Sequence, residues 1–404
     1  MKVLQLCHKI PWPPLDGGSQ AIHYTSIGLH DIGVDLQVLA INASRKFVEG
    51  NTLPEKYRDK IKVTKVSVDT RVKAKDAVLN IFSKDSYFIS RFRSAEFEKA
   101  LVEKLNSRSF DIIQLEHLYM CLYINCIRKH SDAKIIFRPQ NVEYIVWERY
   151  LKNSRFSFKK LLIRLACRRL KRFEKAVISQ LDGIIAITAD DAAVFRKIDK
   201  KAAIVDIPLG FDFSRLSNYN LNKQYESPPC IYHLGSMDWL PNLEAIKWFL
   251  KEIYPLLRKK APLLKIHLAG NNMPNWILEM KDEYLIASGK ITETLSYQED
   301  KMMLIVPLLS GSGIRAKIIE GMALGKTIIS TTVGAQGIKY QKNVDLLIAD
   351  TVEEFCNCIL RCAESPELCR QVGQQARILA EKEYEYKNCA TEMVKFYQNL
   401  IGVV

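Results

Sequence analysis

The chain has 404 residues, longer than one hydrophobic core usually serves, so two domains are expected. Its 48% apolar and 26% charged residues fit an ordinary soluble protein, and no apolar run approaches the roughly 18 residues that span a bilayer. The net charge of +14 implies an anionic partner.

In chain order, Val3 to Leu6 reads as a short strand. The turn-rich stretch Pro11 to Gly18 follows, with an N-cap expected at Ser19. A helix carrying Ile22, Ile27, Leu29 and Ile32 stops at Gly33 and gives way to a strand over Leu36 to Ile41. This is a βαβ unit. It lacks the G-x-G-x-x-G pattern, so a nicotinamide cofactor is not indicated. Further strands are expected at Lys62 to Val68, Asp111 to Leu115, Lys134 to Phe137 and Gly183 to Ile187, with helices between them. That alternation predicts a parallel, doubly wound sheet, whose ligands lie beyond the carboxyl ends of the strands. The rule directs attention to Gly17, Gly18, His117 and Asn141.

Between Arg149 and Lys175 lie eleven Lys or Arg and one acidic residue, interleaved with Leu151, Phe156, Phe158, Leu161, Leu162, Ile163, Leu165, Leu170 and Phe173. One or two basic amphipathic helices are expected. Such a helix is either a solvated face over a core or a face for an anionic membrane. A nucleic-acid reading has no motif behind it.

Ile207 to Pro229 is rich in Asn, Ser, Pro and Tyr without a sustained period, and reads as a linker. A second α/β series follows, with strands at Cys230 to Leu234, Lys265 to Ala269, Leu304 to Val306 and Thr327 to Ser330. Its helices are expected at Leu243 to Lys259, Ile314 to Ala323 and Val352 to Ala363. Gly235, Gly270 and Pro307 mark strand–loop junctions. The expected division is therefore 1–206, a linker over 207–229, a second domain over 230–385 and a C-terminal helix over 386–404 returning to the first. Two Rossmann-like domains would face each other across a cleft, the default place for a site.

The most informative stretch is PLLSGSGIRAKIIEGMALGK, from Pro307 to Lys326. It reads as strand, Ser-Gly-Ser-Gly turn and helix. Arg315 and Lys317 fall in the first helical turn, where exposed N–H groups and the macrodipole already create positive potential. A negative ligand fits such a place, and amides over Gly311 to Ile314 could form a nest for phosphate. A plain glycine turn with a solvated Lys317–Glu320 pair explains the same letters. Gly325-Lys326-Thr327 is not a P-loop: Gly321 is one residue too close, and the order is helix then strand. Ten cysteines lack paired spacing and fit reduced thiols in a cytosolic setting. The group Cys356, Cys358, Cys362 and Cys369 crowds one helical segment without C-x-x-C spacing and reads as buried thiols, not a metal site.

These residues carry a family resemblance over nearly the whole chain. It rests on Pro14-x-x-Gly17-Gly18, Asn141-Val142-Glu143 and Thr188-x-x-Asp191 in the first half. In the second it rests on His233-Leu-Gly235-Ser-Met-Asp-Trp-Leu-Pro241-Asn242, Ala269-Gly270 and GSGIRAKIIEGMALGK. The chain resembles a retaining, GT-B-fold glycosyltransferase of the large glycosyl transferases group 1 family. Members use nucleotide sugars to build polysaccharides, lipopolysaccharides and glycolipids. The resemblance implies a donor site on the C-terminal domain at Gly235, Gly270, Gly311, Ser312, Gly313 and Ile314. A glutamate like Glu320 would bond the ribose hydroxyls, and Arg315 and Lys317 would stabilise the departing diphosphate. No cofactor or metal is implied. His117 would sit near the transferring sugar, with Gly17, Gly18, Asn141 and Glu143 in the acceptor domain. The implied partners are a nucleotide sugar and a glycan or lipid-linked acceptor, met in the cytoplasm or on the inner face of the membrane.

The chain departs from the family in three places. Ser312 stands where many relatives have the first of two paired glutamates, GSMDWLPN replaces a loop that commonly carries an Arg and a Lys, and Gln140 replaces a common histidine. Two other functions share the fold: a non-catalytic sugar-nucleotide-binding or assembly protein, and a sugar-nucleotide epimerase.

Overall fold

The alternation of apolar runs with helices builds two parallel sheets, one in each of two units. The structure, a computed structural model, describes residues 1–14, 16–43, 53–80, 83, 85–153, 158–280, 282–311 and 313–402, apart from the side chains at 74, 77, 78, 153, 158 and 159. The first unit comprises Met1–Gly210 with the chain from Tyr386 on, and the second Phe211–Glu385.

In the first unit the strands are β1 (Lys2–Cys7), β2 (Asp35–Ala43), β3 (Val63–Val68), β4 (Ile112–Glu116), β5 (Lys134–Arg138), β6 (Gly183–Ala186) and β7 (Ala203–Asp206). They pair in the order β3-β2-β1-β4-β5-β6-β7, all parallel. β1 and β4 are buried almost end to end, as strands covered on both faces must be. The order reverses between β1 and β4, which makes their carboxyl ends the switch point of the sheet.

Beneath those ends lies a buried polar network. Glu116 accepts from Gln5 Nε2 at 2.7 Å and Gln114 Nε2 at 2.6 Å, and Arg138 Nη1 lies 3.4 Å from its other oxygen. All four residues are fully buried. Breaking such a pair would strand a charge in the core, so it fixes the relative height of β1, β4 and β5. The C-terminal helix (Tyr386–Ile401) joins this unit: Tyr397 donates its hydroxyl hydrogen bond to Gln114, and the Tyr386 hydroxyl lies 2.9 Å from Asp31 Oδ2.

The second unit has β8 (Cys230–Leu234), β9 (Lys265–Ala269), β10 (Leu285–Gly289), β11 (Met303–Val306), β12 (Thr327–Ser330) and β13 (Leu347–Ile348), in the order β10-β9-β8-β11-β12-β13. Its switch point falls between β8 and β11.

Several expectations need correction. β7, β10 and β13 have no expected counterpart; all three are edge strands, short or half-exposed, and so lack a continuous apolar run. The expected linker packs on the second unit from Phe211 onward, with Leu216 and Gln224 buried and Asn220 and Lys223 bonded to Glu299. Helix α1 (Gly17–Asp31) is capped by Asp16, not Ser19; Ser19 is the third helical residue of a reciprocal capping box. Gly17 and Gly18 therefore open a helix rather than line a loop. The helix expected over Leu243 to Lys259 runs Leu240–Trp248, then widens into a π-turn over Phe249–Ile253 and resumes over Tyr254–Lys260. Pro255, with no N–H to give and a ring that crowds the preceding turn, accounts for that widening. The four C-terminal cysteines lie on two helices, Val352–Glu364 and Pro366–Tyr384. No group of His, Cys, Asp or Glu among the described residues has the arrangement of a metal site.

Candidate functional site

Each sheet carries a cluster of polar side chains at its switch point. In the second unit, Gly235 follows β8 and Gly270 follows β9, and the two backbones touch. A Cβ on Gly270 would lie 1.8 Å from the Gly235 carbonyl oxygen, and Gly270 has φ +156°. Only glycine allows this approach. The Lys317 ammonium occupies the space over Gly235: a Cβ there would lie 2.5 Å from Lys317 Nζ. Lys317 Nζ donates to Asn242 Oδ1 at 3.0 Å, and Asn242 Nδ2 in turn donates to the Ser236 carbonyl at 2.8 Å.

Lys317 reaches this point from helix α2 (Ala316–Ala323), which follows β11 and the glycine turn. The helix begins two residues later than expected. Arg315 is its N-cap, in extended backbone, and Gly311 and Gly313 adopt positive φ. Arg315 is 5% exposed; its Nη1 donates to the Gly313 carbonyl at 2.7 Å, and its guanidinium lies 5.1 Å from the centroid of the Trp239 ring. Burial first, and then the charge of Arg315, push the Lys317 ammonium down to about 7. Ser312 lies outside the described residues, so the nest of amides and the sugar contact expected there have no structural account. Ile314 is half-buried beside Gly313.

Glu320 stands one turn further along the same helix. It accepts from Gln298 Nε2 at 2.6 Å, and Gln298 Oε1 accepts from the Tyr232 hydroxyl at 2.9 Å. Burial raises its carboxyl pKa, opposed by Gln298 and by Arg215. The solvated Lys317–Glu320 pair does not form: the two side chains have different partners. His233, fully buried in β8, is held through Nδ1 by the Ile305 carbonyl at 3.0 Å. Gly325-Lys326 behaves as read: Gly325 has φ +63° after the helix, and the buried Lys326 donates to the Lys301 carbonyl at 2.7 Å.

In the first unit, His8 directly follows β1 and His117 directly follows β4, with ring centroids 4.4 Å apart. His117 has φ +85°, a left-handed conformation that a non-glycine residue keeps only where its surroundings enforce it. Its Nε2 lies 3.2 Å from Glu143 Oε1. Glu143 opens helix α3 (Glu143–Asn153), and the buried Glu174 carboxylate accepts from the Glu143 and Tyr144 amides, both at 3.0 Å. Burial, then repulsion from Glu143, raise Glu174 to about 8. Asn141 lies half-buried in the turn before α3. Gln140 Nε2 donates to the Gly18 carbonyl at 3.1 Å, which ties this turn to the start of α1. Glu143 and His117 thus come together and Gly18 meets Gln140 of the same turn, whereas Gly17 lies exposed at the helix start.

Residues 228–365 match the family model described as Glycosyl transferases group 1. That match covers most of the second unit. A protein of the Klebsiella pneumoniae cps region, described as an uncharacterized 44.6 kDa protein, is 22% identical over 285 residues, covering 68% of this chain and 71% of its own. Among solved structures, sucrose-phosphate synthase from Thermosynechococcus elongatus superposes with a TM-score of 0.74, 13% identity and full coverage of both chains. HepE of Anabaena in complex with UDP gives 0.67 and 13% identity over 99% of this chain and 100% of its own. These likenesses establish the GT-B fold of two Rossmann-like units. The second unit carries Lys317 and Glu320 on one short helix, with Arg315 at its N-cap and Gly235 and Gly270 beside Lys317.

Two site residues escaped the sequence, His8 and Glu174, while Trp239 and Asn242 stood within a quoted motif without a role of their own. For His8 the signal was present, because the rule that singles out His117 applies equally to the residue after β1. Glu174 gave none; a single acid in a basic run has no local mark of burial.

Proposed function

We propose that the protein is a retaining glycosyltransferase that moves a sugar from a nucleoside-diphosphate sugar to a glycan or lipid-linked acceptor in surface polysaccharide or glycolipid synthesis. The convergence of Gly235, Gly270, Arg315 and Lys317 at the second sheet's switch point carries this reading. Two side-chain cations and a bare backbone fit a diphosphate, and the proposal gives Glu320, further along the same helix, the role of acceptor for the ribose hydroxyls. HepE has been seen with UDP-glucose, and the Klebsiella relative is of the cps region, which agrees with a sugar-nucleotide donor and polysaccharide synthesis.

In the transfer, the bond from the anomeric carbon to the diphosphate oxygen breaks while the acceptor hydroxyl oxygen bonds to that carbon. The bonding pair leaves with the diphosphate, which also takes the hydroxyl proton. Arg315 and Lys317 stabilise the charge that grows on the leaving group, a task the proposal gives to them rather than to a metal. Their neighbours are glycines and an amide, so little reorganisation is needed.

The acceptor side belongs to the first unit. On the helix Phe158–Ile178, Leu170, Val177 and Ile178 enter the core, while Leu161, Arg164, Arg168, Arg172 and Lys175 form one exposed stripe. We assign that stripe to an anionic membrane surface; Arg155 and Phe156 lie outside the described residues, as does the side chain of Phe158.

A thermal-shift screen against UDP, GDP, ADP and dTDP and their hexoses tests the reading. A specific donor at 100 times its Kd stabilises the fold by about 2.7 kcal/mol. A shift for one base family that Lys317→Ala and Arg315→Ala reduce is expected. No shift with any nucleotide would refute the proposal.

A further inference from the structure

The sequence points to His117 as the imidazole that meets a sugar, but the geometry points to its neighbour. Both nitrogens of His117 face protein: Nε2 lies against Glu143 Oε1, and Nδ1 is buried with no hydrogen-bond partner among the described residues. His8 is different. Its Nδ1 lies 3.2 Å from the Glu116 carbonyl oxygen. A carbonyl only accepts, so Nδ1 carries the proton, and the lone pair of the neutral ring is on Nε2. No partner for Nε2 is found among the described residues, and it is not one of the atoms sealed from solvent.

The surroundings define what can meet that lone pair. His8 lies at the switch point of the first sheet, with His117 on one face and the edge of the Tyr119 ring at a centroid distance of 5.7 Å. The Glu116 carbonyl stands behind it and Glu143 lies beyond His117, while Lys9, the next residue, is bonded to Asp16 at 2.7 Å. A phosphate would meet the lone pair of a neutral imidazole here, so the site does not fit an anion. A hydroxyl can donate to Nε2. Burial, and then the proximity of His117, hold the ring well below its usual pKa, which keeps it an acceptor at neutral pH.

We propose that His8 Nε2 accepts the hydrogen bond of the acceptor sugar's hydroxyl, with His117, anchored by Glu143, as the ring that sets its position. This rests on the glycosyltransferase reading and adds to it the residue that orients the nucleophile.

The test compares wild type with His8→Phe, which keeps a ring and removes the acceptor, and His8→Gln, whose amide oxygen can replace Nε2. Transfer is measured from the donor chosen by thermal shift to octyl glucoside and octyl galactoside, with UDP-type nucleotide binding as the check that each variant folds. Loss of one neutral hydrogen bond to the acceptor is expected to lower kcat/KM for the octyl glycoside about tenfold in His8→Phe. The loss should appear mainly in KM, and His8→Gln should recover most of it. If His8→Phe transfers like wild type, or if His8→Gln is as poor as His8→Phe, the assignment of His8 is overturned while the transferase reading stands. If wild type releases no sugar from any donor, that reading fails and His8 with it.

Discussion

Lys317 offers a prediction whose size follows from its surroundings. In the free protein its ammonium, buried over Gly235 and repelled by Arg315, titrates at about 7. A diphosphate placed beside it removes both penalties, so the bound lysine should return towards its ordinary value of about 10.4. Between these values binding must take up a proton. Affinity for UDP should therefore fall as pH rises, by about twentyfold between pH 7.5 and 9.0 if the bound group titrates near 10. UDP's own phosphate, with a second pKa of about 6, no longer titrates there. Calorimetry at pH 8 in two buffers of different ionisation enthalpy should give an uptake of about 0.9 proton, vanishing in Lys317→Met. An affinity flat across this range with no proton uptake would show that Lys317 does not meet the diphosphate.

Three other outcomes are expected. Gly270→Ala would force a Cβ against the Gly235 carbonyl, and should lower stability by about 3 kcal/mol or more and abolish nucleotide binding; denaturant melts and calorimetry check both. Glu174, raised to about 8 in the fold against 4.5 when unfolded, holds its proton more tightly in the native state. Its contribution is full below pH 4.5 and is lost as pH rises to 8, so the fall in Tm between pH 6 and 9 should be steeper in wild type than in Glu174→Gln. Arg164→Glu with Arg168→Glu should reduce co-sedimentation with vesicles containing phosphatidylserine, each cation near the surface contributing about 1 kcal/mol; binding that ignores anionic lipid and salt would remove the membrane assignment.

The sequence was readable where burial and period coincide. The central strands β1, β4, β8, β9 and β12 are rich in apolar residues because most of their positions are covered, and each is found within a residue or so of its expected span. Three of the four edge strands, all but β3, were illegible for the converse reason: β10 buries one face only, and the four residues of β7 are all half-exposed. Helix starts were read from the wrong residues, since Ser19 and Arg315 look alike in composition whether they cap a helix or lie one turn inside it. At the site, Gly235, Gly270 and Lys317 could be named from motif positions. The contact that joins them could not, because it arises from three elements far apart in sequence. The division between the two histidines depends on which nitrogen meets the Glu116 carbonyl and which meets Glu143, a matter of backbone register that no sequence pattern encodes.

The central claim is that the second unit holds a nucleotide sugar for transfer. The most direct measurement is incubation with a panel of nucleotide sugars, with and without octyl glycosides, followed by chromatography and proton NMR of the products. The account predicts release of nucleoside diphosphate with slow formation of free sugar, faster formation of an octyl disaccharide, and an anomeric configuration in that product matching the donor's. Unchanged donors would indicate a binding protein, an isomerised nucleotide sugar an epimerase, and either result would contradict the account.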